Sequence, residues 1–210
     1  IDVTMDLNSF QIEYSPKAIG NKLGKHFVYS PHYLHGKKWI HYAEVCTWLG
    51  ALRYAQMVKD KELIQMLKER FDRLLAKEQK YLPPKKHVDL NIFGCLALEL
   101  YQVSKDKKYL ELGLSYADSQ WKLPKDANTE QKEWERKGYS WQTRLWIDDM
   151  FMITILQSQA YRVTGDNKYI DRTAKEMVYY LDELQRENGM FYHAPDVPYF
   201  WARGNGWLQG

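Results

Sequence analysis

The amino-acid sequence predicts an all-α fold built from helical hairpins, because apolar side chains recur with a helical period along most of the chain. The predicted helices alternate in character: one that is apolar on most faces is followed by one with a single apolar stripe. A helix that is apolar all round must be covered on several sides, whereas a helix with one stripe lies at the surface. The alternation therefore predicts an inner layer of helices wrapped by an outer one. The predicted helices span residues 39–58, 61–80, 89–103, 107–121, 144–163 and 168–186.

A similar short phrase joins the two helices of each pair. Asp60, Asp106 and Asp166 each stand just before the second helix of a pair. The carboxylate of an Asp at this position can accept hydrogen bonds from the free N–H groups of the helix that follows. The repeat unit is thus a hairpin of about 45 to 60 residues, which predicts either a closed α/α barrel or an open α-solenoid.

The segments outside these helices are unequal in length. Residues 1–38 have no clean period and contain Pro16 and Pro31, so we predict an irregular N-terminal arm with one short helix, followed by a helical domain over 39–210. Strand patterns are weak, apart from a short alternating stretch at 190–193. The long connections at 81–88, 123–143 and 187–203 all precede inner helices, so they should gather at one end of the fold, where long loops usually carry function.

Composition and charge exclude several classes of partner. The net charge is +3 and no basic stripe is present, so we expect no nucleic-acid partner. No apolar run approaches membrane-spanning length and no signal-peptide pattern is seen, which leaves a cytoplasmic or a periplasmic location open. The 16 Tyr and 8 Trp exceed the needs of a core, and flat amphipathic rings suit sugar faces. Cys46 and Cys95 are predicted to be buried free thiols, with a disulfide as the alternative.

Two of three candidate site segments contain carboxylates where a long connection enters an inner helix. Asp89 can cap its helix or point into the mouth of the barrel, and its segment alone favours the cap. Asp148 and Asp149 are adjacent in an apolar stretch, where carboxylates are costly unless paired. Neighbours on a helix point about 100° apart, so one can face a cleft, with its pKa raised by apolar walls, while the other bonds to surrounding structure. The alternative is a purely structural pair that bridges to Arg144 or to a neighbouring helix.

The third candidate segment runs from His193 to Trp207. Its Gly-Asn-Gly run at 204–206 permits close backbone approach and can expose N–H groups at a helix start, which would favour an anion. Arg203 offers a fork that suits a carboxylate, and Trp201 and Trp207 can flank a ring-shaped ligand. The alternative is a capped turn with core tryptophans and a structural His193. Together the three segments suit an acidic sugar.

Four phrases resemble, in this order, those of the unsaturated rhamnogalacturonyl hydrolases, glycoside hydrolase family 105, which are related to the unsaturated glucuronyl hydrolases of family 88. They are HVDLNIFGCLALELY, WIDDMFM, GMFYHAPD and WARGNGW, within a similarity that runs from about Trp39 to the end of the chain. The resemblance implies an (α/α)6 barrel, of which this chain would hold the N-terminal half: six helices and the start of a seventh. A barrel truncated at its C-terminus leaves one flank of the inner layer uncovered, so self-association is expected if the half-barrel is the whole protein.

The resemblance also implies a reaction on oligosaccharides that end in a 4,5-unsaturated uronic acid, left by lyases on pectic rhamnogalacturonan or a related polysaccharide. Protonation at C4 of the vinyl ether creates an oxocarbenium-like centre at C5, water adds there, and the resulting hemiketal opens and releases the rest of the chain. Asp148, the first residue after Trp-x in its phrase, would be the general acid and then the base, with Asp89 as the second acidic residue. No metal or organic cofactor is implied. The implied substrate-binding residues are Tyr42, His193, Trp201, Arg203, Asn205 and Trp207.

Other functions remain compatible with the residues alone. A carbohydrate-binding α/α barrel without catalysis would use the 201–207 segment and turn nothing over. A hydrolase of a saturated glycosidic bond would use Asp89 and Asp148 as a carboxylate pair at the anomeric carbon. A solenoid scaffold for a protein partner is disfavoured, because solenoid repeats share one hairpin length and the loops here are unequal.

Overall fold

The computed structural model describes residues 11–207, and the chain divides between Leu82 and Pro83 into two compact units. The elements of the first unit are α1 (Pro16–Tyr29), β1 (Leu34–His35), β2 (Trp39–Ile40), α2 (Tyr42–Met57) and α3 (Lys61–Lys77). Those of the second unit are α4 (Val88–Asn91), α5 (Gly94–Ser104), α6 (Lys107–Ser119), α7 (Thr129–Arg136), α8 (Ile147–Thr164), α9 (Asn167–Leu184), β3 (Tyr192–Ala194), β4 (Val197–Phe200) and α10 (Ala202–Trp207). The all-α fold of helical hairpins is confirmed.

The junctions between paired helices share one structure. Asp60, Asp106 and Asp166 each accept a hydrogen bond from a backbone N–H in the first turn of the next helix, as the repeated phrase predicted. The residue before each Asp has a positive φ, at Lys59 (59°), Lys105 (59°) and Gly165 (70°). A left-handed residue ends one helix and the Asp begins the next, so each phrase encodes a tight reversal of the chain.

The first unit contains a longer N-terminal helix than the sequence indicated. α1 has 14 residues in a segment that we predicted to be irregular with one short helix. It begins with Ser15, whose hydroxyl accepts from the N–H of Ala18, and with Pro16, whose fixed φ suits the first helical position. Its Phe27 ring contacts Trp48 of α2 edge to face at 5.6 Å between centroids. Packing against this buried tryptophan stabilises a helix whose glycines make it weak by propensity.

A buried ionic cluster also holds the first unit together. Glu44, 3% exposed, accepts hydrogen bonds from Arg70 Nη2 (3.0 Å) and from the backbone N–H of Tyr33 (2.6 Å). The His32 imidazole lies between two carboxylates, with Nδ1 2.7 Å from Glu44 Oε1 and Nε2 3.1 Å from Glu78 Oε2. Burial acts to raise the pKa of Glu44, but the hydrogen bonds from His32 and Arg70 outweigh it, and the pKa is lowered.

In the second unit the helices pack at short range. Every residue of α5 from Gly94 to Leu100 is buried, and ten residues of α8 are buried, which fits the prediction of inner helices. A Cβ added at Gly94 would lie 2.7 Å from Tyr116 Cβ, and one added at Gly113 would lie 2.5 Å from Leu98. Glycine at these two positions therefore allows α5 and α6 to approach closely.

Two predictions of element boundaries in the second unit were wrong. The helix predicted at 89–103 is divided into α4 and α5, because the N–H groups of Phe93 and Leu96 bond three residues back instead of four and tighten the turn. The connection predicted at 123–143 contains α7, which begins with a reciprocal capping box between Asn128 and Gln131. This helix has no buried residue. A search for an apolar stripe therefore could not find it.

The described residues also include one hairpin near the C-terminus and two free thiols. β3 and β4 form an antiparallel hairpin in which Tyr192 pairs with Phe200, so the weak alternation at 190–193 does mark local strand pairing. Cys46 and Cys95 are free thiols; Cys95 is buried and Cys46 only partly so. Within residues 11–207, no helix has the length and apolar character needed to cross a membrane.

Candidate active site

Asp148 lies in the first turn of α8, and its carboxylate is surrounded by His193, Arg203 and Trp207, a partly exposed group of side chains that we call the recess. Its Oδ1 accepts a hydrogen bond from the indole N–H of Trp207 at 3.1 Å and lies 3.3 Å from Nε of Arg203. Its Oδ2 lies 3.7 Å from Nδ1 of His193. The side chain keeps 14% of its surface exposed. Oδ1 is thus held in place, while Oδ2 is buried next to the imidazole and has no hydrogen-bond partner in the described part of the chain.

Aromatic rings line this recess. His193 lies between Trp146 and Trp201, with centroid distances of 5.2 and 5.1 Å, and both tryptophans are nearly half exposed. Trp207 stacks on Phe151 at 4.6 Å, which fixes the ring that donates to Asp148. Exposed tryptophan faces beside an acidic group are the surfaces on which a sugar ring can lie.

Asp149 points away from the recess. Its side chain is buried, and both of its oxygens accept from Arg144, at 2.9 Å from Nε and 2.7 Å from Nη2. Burial raises the pKa of this carboxyl, Arg144 lowers it, and the charges of Asp89 and Asp148 raise it again, so the pKa is about 6. The two adjacent carboxylates therefore have different surroundings, one in the recess and one in an ion pair.

Asp89 does not cap its helix. The Nδ1 atom of His87 accepts the N–H of Asp89 at 3.2 Å, so the imidazole is the cap of α4. Asp89 is a quarter exposed, and its charge raises the pKa of both Arg144 and Asp149. The charge of Asp89 therefore acts on the Arg144–Asp149 pair, and its role as the second acidic residue of the site stays a prediction.

The 204–206 run lies in α10, of which Gly204 is the third residue. The backbone N–H of Asn205 donates to the carbonyl of Trp201 at 3.0 Å and is therefore used within the helix, whereas the use of the Gly204 N–H for an anion stays a prediction. The Asn205 amide also holds the backbone of Phe191 from both sides, accepting its N–H at 2.8 Å and donating to its carbonyl at 2.9 Å. Contact of Asn205 with substrate stays a prediction, but its hydrogen bonds already tie α10 to the chain before β3.

Gly204 explains how α10 reaches the recess. A Cβ at this position would lie 2.3 Å from Cγ2 of Ile147, at the first residue of α8. The close approach predicted for the Gly-Asn-Gly run is therefore real at Gly204, whereas nothing lies within 4 Å of a Cβ at Gly206. The missing side chain lets α10 bring Arg203 and Trp207 against Asp148.

The approach to α8 contains residues that the sequence analysis did not select. Leu145 has a φ of 56°, in the left-handed region that costs a non-glycine residue roughly 1 kcal/mol. This turn lets Leu145 enter an apolar cluster with Met150 and Tyr180 while Trp146 stays exposed beside His193. The aromatic residues that flank the Asp pair in the sequence were the available signal for Trp146.

Tyr42, the remaining predicted site residue, lies in the first unit as the first residue of α2, where its ring contacts that of His41 at 4.3 Å. Its part in substrate binding stays a prediction. In the part of the chain that the structure describes, no three His, Cys, Asp or Glu side chains are grouped so that they could hold a metal ion.

Comparison with known families gives a match over nearly the whole chain. Residues 17–210 match the family described as Glycosyl Hydrolase Family 88. The matched range includes most of the first compact unit, the whole of the second and every residue of the recess. Proteins of this family have the α/α-barrel fold, in agreement with the helical hairpins found here.

Proposed function

Because the chain belongs to Glycosyl Hydrolase Family 88 and is therefore a glycosidase that acts on unsaturated uronic acid, we propose that it removes this sugar from the non-reducing end of lyase-generated fragments of rhamnogalacturonan or a related polysaccharide. The observation that carries the proposal is the position of Asp148. Its carboxylate is held by Trp207 and Arg203 at the edge of a recess lined with aromatic rings. The neighbouring Asp149 is occupied by Arg144.

In the proposed reaction Asp148 gives its proton to C4 of the unsaturated ring. The electrons of the C4–C5 double bond form the new C4–H bond, and a lone pair of the ring oxygen supports the positive charge at C5. Water then attacks C5 and its proton returns to the Asp148 carboxylate. The resulting hemiketal opens to a ketone at C5, and the hemiacetal left at C1 releases the rest of the oligosaccharide as an alcohol.

The other residues of the recess support binding of an acidic sugar. The guanidinium of Arg203 is half exposed and lies over the Trp201 ring, 5.0 Å from its centroid. It can therefore donate hydrogen bonds to the uronate carboxylate of a sugar that lies beside an aromatic face. His193, stacked on the same tryptophan, is close enough to Asp148 to orient it or to bond a substrate hydroxyl. Asp89 is proposed to hold substrate hydroxyls or to assist Asp148.

The test follows the absorbance of the conjugated double bond in lyase-treated oligosaccharides, and the release of new reducing ends from their saturated equivalents. We expect the absorbance to fall with the wild-type protein and Asp148→Asn to lower the rate by at least about 100-fold. Asp171→Asn, which changes an exposed carboxylate of α9 outside the three candidate segments, is the matched control and should keep full activity. Equal turnover of the saturated compounds, or binding of the unsaturated ones without turnover, would contradict the proposal.

A further inference from the structure

Glu176 of α9 is a fully buried carboxyl group that the proposed reaction does not use. Among the described residues its hydrogen bonds come from the backbone N–H of Ser140 and the hydroxyl of Thr143, which are both uncharged donors. A carboxyl group is costly to bury in such surroundings, because neutral donors replace less of its hydration than a cation would. This makes Glu176 a candidate for a role in function.

Glu176 holds both ends of a four-residue turn at 140–143. Its Oε1 accepts the backbone N–H of Ser140 at 2.6 Å, and its Oε2 accepts the hydroxyl of Thr143 at 3.1 Å. The turn is closed within itself, because the N–H of Thr143 donates to the carbonyl of Ser140 at 3.1 Å. The hydroxyl of Ser140 also donates to the carbonyl of Gln120 at the end of α6, at 2.8 Å. One carboxyl group thus fixes the first and the last residue of the turn that leads towards α8.

This turn is followed directly by Arg144, whose guanidinium bonds both oxygens of Asp149. Asp149 is the neighbour of Asp148 in the first turn of α8. Neighbours on a helix rotate together, so an ion pair that fixes Asp149 also fixes the direction in which the side chain of Asp148 leaves the helix. A connected series of contacts therefore runs from Glu176 through the 140–143 turn to the recess.

The backbone between the turn and α8 is strained, so it needs support on both sides. Leu145 has a φ of 56°, and a left-handed residue other than glycine persists only where its surroundings hold it. Tyr180 lies four residues after Glu176, on the same face of α9, and packs in the same apolar cluster as Leu145. α9 therefore holds this segment at two points: the carboxyl of Glu176 before the strained residue and the ring of Tyr180 at that residue.

We propose that Glu176 is a positioning residue for the reaction at Asp148: it holds the 140–143 turn, and through Arg144 and Asp149 it holds the first turn of α8. The inference rests on the proposed function for the reaction, but the contacts from Glu176 to Asp149 do not depend on any substrate. Glu176 is fully buried and acts through other residues. Its effect should therefore appear in kcat more than in KM.

Two substitutions separate the hydrogen bonds of Glu176 from its volume. Glu176→Met has a similar length but forms no comparable hydrogen bond, whereas Glu176→Gln keeps an oxygen for the N–H of Ser140 and an NH2 group for the hydroxyl of Thr143. Burial raises the pKa of Glu176 to about 7, against the hydrogen bonds from Ser140 and Thr143, so at pH 6 the carboxyl is mainly neutral, as an amide is. At pH 6 we expect kcat to fall about tenfold in Glu176→Met and less than about twofold in Glu176→Gln, with little change in KM.

Glu99→Met is the matched control, because Glu99 is also a buried carboxyl group of the second unit. It accepts a hydrogen bond from Gln159 of α8 at 2.6 Å, roughly 16 Å along that helix from Asp148. We expect this variant to lower the free energy of unfolding in urea and to leave kcat unchanged, at a temperature where every variant is folded.

Thr143→Val tests the route through the turn. It removes the hydroxyl that donates to Glu176. Combined with Glu176→Met it should lower kcat no further than Glu176→Met alone, since both changes break the same contact. Additive losses of kcat would mean that Glu176 does not act through Thr143 and would overturn the inference.

Hydrogen exchange of the peptide that covers residues 139–147 provides a readout that needs no turnover. We expect its amides to exchange about tenfold faster in Glu176→Met, and at the wild-type rate in Glu176→Gln and Glu99→Met. The inference is overturned by an unchanged kcat or unchanged exchange in Glu176→Met, by an equal loss of kcat in Glu99→Met, or by an equal loss in Glu176→Gln. If the wild-type protein turns over no unsaturated compound while the exchange results hold, the proposed reaction fails and the positioning of Arg144 and Asp149 by Glu176 stands.

Discussion

Asp148 and Asp149 show how one residue step along a helix separates two chemical roles. Asp149 is fully buried and has both oxygens bonded to Arg144, whereas Asp148 has one oxygen bonded to Trp207 and keeps part of its surface open. Both oxygens of Asp149 are occupied by Arg144, whereas Oδ2 of Asp148 has no hydrogen-bond partner among the described residues and can still accept one from a substrate. The first of the two is therefore the residue that can act on a ligand.

Trp207→Phe tests the importance of the hydrogen bond from the indole to Asp148. Phenylalanine keeps an aromatic ring to stack on Phe151 but cannot donate to Oδ1 of Asp148. Since a hydrogen bond to a charged group contributes about 1.5–3 kcal/mol, we expect kcat to fall by roughly tenfold or more, with a smaller change in KM. Trp121→Phe is the control, because that indole donates to the carbonyl of Gly138. An unchanged kcat in Trp207→Phe would mean that the hydrogen bond does not position Asp148.

The contact between α10 and α8 is the element on which the recess depends. α10 has only six residues, too few to be stable without tertiary contacts. It is held by the Asn205 amide, which bonds the backbone of Phe191, and by the close approach of Gly204 to Ile147. These two interactions hold the helix against the backbone of Phe191 and against Ile147 of α8, and so place Trp207 next to Asp148.

Gly204→Ala and Gly206→Ala form a matched pair at this contact. The first adds a methyl group 2.3 Å from an Ile147 carbon, and the second adds one where nothing lies within 4 Å. We expect Gly204→Ala to destabilise the second unit by about 1–3 kcal/mol, as overpacking does, and to lower turnover because Trp207 is displaced. Gly206→Ala should be neutral or slightly stabilising, since alanine favours a helix. Denaturant unfolding and the turnover assay distinguish the two, and equal effects would contradict the packing argument.

At the scale of the whole molecule, the two units differ in the pKa shifts of their buried carboxyl groups: the pKa is lowered in the first unit and raised in the second. In the first unit the pKa of Glu44 is lowered, so its contribution is present above the unfolded pKa and is lost as pH falls. In the second unit burial raises the pKa of Glu176 to about 7, against hydrogen bonds from Ser140 and Thr143, and that of Asp149 to about 6. These groups lower stability as pH rises from their unfolded values through about 7.

Glu176→Gln tests the alkaline side of this balance. Glutamine keeps an oxygen that can accept the N–H of Ser140 but cannot ionise. A pKa raised from 4.5 to about 7 corresponds to about 3 kcal/mol lost by the wild-type second unit on going from pH 4 to pH 8, and the variant should lose much less. Urea unfolding at the two pH values checks this, with the exposed Glu183→Gln as the control on the same helix. A wild-type second unit whose stability does not fall between these pH values would contradict the argument.

Local patterns in the sequence were enough to predict the helices that bury an apolar face and the three Asp-capped reversals at residues 60, 106 and 166. They did not predict α7, which buries no residue, or the full length of α1, which depends on contact with Trp48. Periodicity reports an apolar face and a cap reports a free helix end. Capping residues do begin these two helices, at Ser15 and at Asn128, but without a clear apolar period after them the sequence did not show that full helices follow.

The sequence by itself determined that Asp148 and Asp149 diverge, because neighbours on any helix point about 100° apart, and its four phrases identified the sugar chemistry of the family. Only the tertiary structure decided which of the two carboxylates meets Arg144, that His87 and not Asp89 caps α4, and that Gly204 lets α10 touch α8. Each of these facts depends on atoms far apart in the chain or on a local choice between donors. A linear pattern can propose such contacts, but only packing in three dimensions selects among them.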